Sequence, residues 1–131
     1  MRRLLFAMFV TLLVMAAMPI AHHSYGATYD VSKELRLEGK VVGFVLRNPH
    51  SFVAVQTKDD KGETQRWSIE WSGTTSLGNQ GVNQQSLKVG DEIVIVARPS
   101  RVPGEPRALM VNLKRPSDGF TWGQKAGEAV D

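Results

Sequence analysis

At 131 residues, with 16 Lys and Arg against 13 Asp and Glu, the chain has room for one domain and carries a formal charge of +3. Cysteine is absent, which excludes disulfides, thiolate metal sites and cysteine nucleophiles together. The basic excess sits mostly at the start: without Arg2 and Arg3, 14 basic residues face 13 acidic ones. A balance of +1 lacks the basic stripe on which nucleic-acid binding relies, so nucleic acid is not expected as a partner.

Met1-Arg2-Arg3 leads into Leu4 to Met18 without a charge, and the small residues Ala16, Ala17 and Ala21 follow or close that run. This is the pattern of a cleavable signal peptide over residues 1–21. The run stops at Pro19, short of the roughly 20 apolar residues that span a bilayer, so no membrane span is expected after cleavage. General secretion is preferred over a twin-arginine route. Cleavage after Ala21 makes His22 the first mature residue, whereas cleavage after Ala16 leaves a short segment ahead of the histidines. Either route places the protein in the periplasm or outside the cell.

Residues 22–34 read as an N-terminal arm, 35–114 as the folded domain and 115–131 as a polar tail that packs loosely apart from Phe120 and Trp122. Leu35, Leu37, Gly39 and Val41 alternate with Arg36, Glu38, Lys40 and Val42, the period of two of a strand with one buried face. Gly39 and Gly43 suggest bends or bulges within it. Arg47-Asn48-Pro49-His50 breaks the strand with a turn. Ser51 to Thr57 forms a second strand, and the loop Lys58 to Gly62 joins it to a third, Thr64 to Trp71. That third strand places Trp67, Ile69 and Trp71 on one face and Arg66, Ser68 and Glu70 on the other. A short helical turn is expected near Thr74 to Gly78, then strands at Glu92 to Ala97 and Arg107 to Lys114, separated by a Pro- and Gly-rich loop. Five strands with a helical segment between the third and fourth predict an all-β fold: a small five-stranded OB-like Greek-key barrel preceded by a signal-peptide helix.

The three histidines are the informative chemistry. His22 and His23 stand at the expected mature terminus and His50 in the turn after the first strand. The 12 residues from His23 to Leu35 could extend over roughly 40 Å, enough to return the pair to His50. A free α-amine with imidazoles suits Cu(II), or zinc, with Asp30 or Glu70 as candidate oxygen ligands. The plainer reading is a solvated His-His pair and a turn histidine bonded to backbone. Trp67 and Trp71 fit the core, with an aromatic platform on the barrel face for a sugar or peptide as the alternative. Glu70 has the chemistry of an acid or base but no partner carboxylate in sequence.

His22-His23-Ser24-Tyr25, Tyr29-Asp30, Leu37-Glu38-Gly39-Lys40-Val41, Asn48-Pro49-His50, Trp67 with Glu70, and Leu87-Lys88-Val89-Gly90-Asp91 together resemble a family of small exported bacterial proteins. That family is catalogued only as a domain of unknown function. The resemblance implies export and a small β-barrel, and supplies no activity. Three functions are therefore expected in descending order: a copper- or zinc-binding envelope protein using His22, His23 and His50; a non-metal barrel binding a small ligand or an envelope protein; and a small metalloenzyme.

Overall fold

A computed structural model describes residues 24–123. The expected signal peptide, with His22 and His23 after it, lies outside the described residues. In chain order the elements are α1 (Tyr25–Thr28), β1 (Leu35–Val45), β2 (Ser51–Lys58), β3 (Thr64–Trp71), α2 (Thr74–Asn79), β4 (Glu92–Pro99), β5 (Arg107–Arg115) and β6 (Phe120–Gly123). No described helix is long and apolar enough to cross a membrane.

The sheet order β3-β2-β1-β4-β5 closes on itself through a parallel pairing of β3 with β5, Ser68 opposite Arg107 and Glu70 opposite Leu109. All other pairings are antiparallel. A closed five-strand mixed barrel with a helix between β3 and β4 is the OB-like topology that the order of elements predicts.

Strand β1 makes closure possible because it serves both sides of the barrel. Residues 39–45 pair with β2 and residues 35–40 with β4. A bulge at Val42 bends it, and Gly39 permits the tight approach of β2 at the corner. A Cβ at Gly39 would stand 2.4 Å from the carbonyl oxygen of Gln56. The interior is filled by Val41, Val53, Val55, Ile69, Trp71, Ile93, Ile95 and Met110, all almost fully buried, and Leu77 of α2 is buried in the same cluster.

Two findings change the expected picture. The segment after Arg115 does not pack loosely throughout: Phe120–Gly123 adds β6 to β5, and Trp122 is buried with its ring edge-on to Trp71 at 5.0 Å. The physical reason is apolar area, since two indoles bury far more surface than the polar neighbours can hold in water. The arm at 24–34 is likewise tied down. Tyr29 bridges to Ser100, the Asp30 amide donates to the Pro99 carbonyl at 2.9 Å, and the Tyr29 side chain is 1% exposed.

The Asn48-Pro49-His50 turn is held against the start of α2. The Asn48 side-chain oxygen accepts from the Thr74 amide at 2.9 Å, and Gly73 leaves room for the approach. A Cβ at Gly73 would meet the Pro49 carbonyl oxygen at 2.6 Å and Asn48 Oδ1 at 2.7 Å. Gly73→Ala is therefore expected to displace the turn and to cost about 1–2 kcal/mol in urea denaturation, the scale of local overpacking. The backbone there needs no left-handed angle (φ −72°), so the loss would come from contact alone.

Candidate functional site

Strand alternation sends Trp67, Ile69 and Trp71 inward and Glu70 outward. An outward carboxylate on a barrel normally meets water. Glu70 instead is 4% exposed, because three other parts of the chain close over it. Tyr29 comes from the arm, His50 from the turn before β2, and Arg107 from the first position of β5. The parallel β3–β5 register sets Arg107 opposite Ser68, two residues along the strand from Glu70.

All these groups converge on the Glu70 carboxylate. The Tyr29 hydroxyl donates to Oε2, and Arg107 donates to the same oxygen through Nη2 at 2.8 Å. Arg107 Nε also donates to the Tyr29 hydroxyl at 2.9 Å, so the phenol is both acceptor and donor in the chain. His50 Nδ1 is hydrogen-bonded to Oε1. The Tyr25 ring of α1 lies over His50 with centroids 5.4 Å apart, and the Arg107 guanidinium lies over the Tyr29 ring at 5.6 Å.

Electrostatics fix the protonation pattern. Burial by itself would raise the Glu70 carboxyl, but hydrogen bonds from Tyr29, Arg107 and His50 outweigh it and hold the group below the ordinary value of 4.5. The Tyr29 phenol is pushed upward by burial and by the neighbouring carboxylate. Arg107 is raised further above its already high value, chiefly by its bond to Glu70. Glu70 is thus an anion that accepts, and Nδ1 of His50 must carry the proton it donates. The ring nitrogen left to face a ligand is therefore Nε2.

A cleft of about 400 Å³ opens beside this cluster, lined by Arg47, Asn48, Pro49, His50, Phe52, Glu70 and Arg107. Arg47 lies over the Phe52 ring at 5.2 Å and donates through Nε to the His50 carbonyl at 3.3 Å.

The residues singled out in the sequence separate in space. His50 and Glu70 meet. Asp30 does not join them: its carboxylate accepts from the Ser32 hydroxyl at 2.6 Å and pairs with Lys33 at 3.2 Å. Bonding to Ser32, then to Lys33, lowers Asp30 to a pKa of about 2. It lines a different cleft, together with Trp67, Pro99 and Pro103. Trp71 is 1% exposed and belongs to the core, so an aromatic platform would rest on the half-buried Trp67 without it. Glu70 lacks the partner carboxylate of an acid–base pair and has a histidine instead. No group of three or more His, Cys, Asp or Glu able to hold a metal occurs among the described residues. Tyr29 and Arg107 escaped sequence reasoning, as did the role of Tyr25. The usable signal was topological: in this barrel β3 and β5 are neighbours, so a basic residue opening β5 falls near an acidic one on β3.

A family model described as a family of unknown function (DUF6152) matches residues 10–107. The chain belongs to the DUF6152 family. That span includes His50, Glu70, Tyr29 and Arg107, so the whole carboxylate cluster of this DUF6152 protein lies within the matched region. No curated protein matches it. Among solved structures, the mitochondrial single-stranded DNA binding protein Rim1 from S. cerevisiae is similar over 64% of this chain and 93% of that one, at 8% identity and a TM-score of 0.49.

Proposed function

We propose that this DUF6152 protein is an exported metal-binding protein of the bacterial envelope, with His50 as the anchoring ligand and copper as the preferred ion. The observation that carries the reading is the Glu70–His50 bond. A metal-binding histidine typically donates its other ring N–H to a carboxylate, which fixes the tautomer and orients the free nitrogen. Glu70 does this for Nδ1 and leaves Nε2 as the ligand atom. Glu70 itself is a positioning residue in this scheme, since both of its oxygens are already engaged.

His22 and His23 complete the donor set. The Tyr25 ring lies beside that of His50, centroids 5.4 Å apart and tilted by 35°, and His23 is two residues before Tyr25 in the sequence. Signal cleavage after Ala21 would add the α-amine of His22. Imidazoles with an amine favour Cu(II) over the other divalent first-row ions, with zinc next. The role is binding, delivery or sequestration: the described cluster offers no acid–base pair for turnover. The near-neutral mature chain also favours metal over nucleic acid as the ligand.

The test uses the protein expressed with its leader and recovered from the envelope. Copper affinity is measured against a competing chelator, with native mass spectrometry for stoichiometry and for the mature terminus. One Cu(II) per chain is expected. His50→Ala should weaken binding by at least about a hundredfold, and Glu70→Gln by about 10–100-fold through the lost orientation. A mature chain that retains no copper, or a His50→Ala variant with unchanged affinity, would end the proposal.

A further inference from the structure

We infer that the cleft beside His50 is a binding site for a small organic carboxylate, gripped by the guanidinium groups of Arg47 and Arg107. The inference goes beyond metal binding and does not depend on it, because the groups that would hold the anion are the two arginines.

The lining brings two guanidinium groups and one carboxylate to a single cleft. Glu70 is already committed to Tyr29, His50 and Arg107, so its charge is spent inside the cluster. Arg47 has no carboxylate partner among the described residues. The cleft therefore presents a net positive charge to a ligand, on a mature chain of nearly balanced composition. A low-dielectric wall beside such a charge attracts anions more strongly than an open surface does.

Arg107 uses Nε on Tyr29 and Nη2 on Glu70, leaving Nη1 without a protein partner among the described residues. Arg47 uses Nε on the His50 carbonyl, and both of its terminal nitrogens are likewise without one. Guanidinium donors match a carboxylate in a planar, bidentate arrangement that gives orientation as well as energy. Both arginines are held in place: Arg47 over Phe52, and Arg107 by the Tyr29 ring and the Glu70 bond. Little ordering of either side chain remains to be done when a ligand arrives.

The lining also selects among anions. Phe52 and Pro49 give the cleft an apolar part, which an organic carboxylate can cover and inorganic phosphate cannot. A volume of about 400 Å³ lies at the lower end of small-molecule sites.

The probe is succinate, titrated into the mature protein stripped of metal on a chelating resin and followed by amide chemical shifts at constant ionic strength. Saturable shifts at His50, Phe52 and Arg107 are expected. Arg47→Ala should weaken binding at least tenfold, and Arg107→Lys should weaken it while keeping the charge. Arg66→Ala, at an exposed position on β3 outside the cleft, should leave it unchanged. The amide spectrum of each variant shows whether it is folded, and Arg47 is exposed and outside the core, so its variant gives a clean reading. Unsaturable shifts, unchanged affinity in Arg47→Ala, or tighter binding of phosphate than of succinate would overturn the assignment. Because no copper is present, loss of the metal proposal would leave this result standing, and the reverse also holds.

Discussion

Glu70→Ala is expected to lower the stability of the metal-free domain by about 2–3 kcal/mol, a large share of what holds a domain of this size together. The carboxylate is the common acceptor of Tyr29, His50 and Arg107. Removing it leaves the Tyr29 hydroxyl buried with a cation as its remaining partner, at the desolvation cost of an unmade hydrogen bond. The full cost of breaking a buried ion pair is not expected. Arg107 and His50 have side chains 37% and 29% exposed, and both can turn to water. Glu70→Gln should lose less, because the amide keeps the shape and one acceptor oxygen while setting an N–H₂ against a donor. The two variants also differ from wild type in acid. The folded-state pKa of Glu70 lies below its ordinary 4.5, so its stabilisation is present in full above that value and is lost as pH falls through the lowered one. Urea titrations between neutral pH and the acid limb should show this extra decline in wild type and its absence in Glu70→Gln. Parallel curves for the two proteins would show that the carboxylate charge contributes nothing.

Trp122→Ala should cost about 3 kcal/mol, the lower end of the scale for an aromatic removed from a core. Trp122 is 6% exposed and packs edge-on against Trp71, which is itself almost completely buried. Loss of the ring would open a void beside Trp71 and remove the main anchor of β6, a strand of four residues. Arg115 would retain part of the hairpin: it pairs with Asp118 at 2.8 Å and lies over Phe120. The denaturation midpoint should therefore fall with little change in slope, as for a cooperative fold that has lost packing rather than a unit. An unchanged midpoint would mean that the segment beyond Arg115 adds nothing to the core.

These two residues mark where sequence reading succeeds and where it stops. The period-two runs at Leu35 to Val41, Ser51 to Thr57 and Thr64 to Trp71 announce strands because alternation is a local property of the backbone. The Gly62 turn is legible for the same reason, whereas the helix at Thr74–Asn79 lies in a stretch with no period of its own. Trp122 was missed because four residues at the end of a polar stretch carry no period; Trp71, 51 residues earlier, and the rest of the core give that indole its reason to be buried. At the site, His50 and Glu70 were visible as chemistry. Their contact was not, since the sequence between them contains a strand and a hairpin whose register no local signal sets.

By itself the sequence determined the class of fold, the order of the strands along the chain and the exclusion of thiol and disulfide chemistry. Those follow from composition and from local conformational preference. Only the tertiary structure decided that the outward-facing Glu70 is buried, that Tyr29, His50 and Arg107 share it, and that Asp30 and Trp71 take no part in that cluster. Closure of the barrel is the physical reason. It sets β3 beside β5 and draws the arm across the seam, joining groups far apart in the chain around one carboxylate that could not be buried alone.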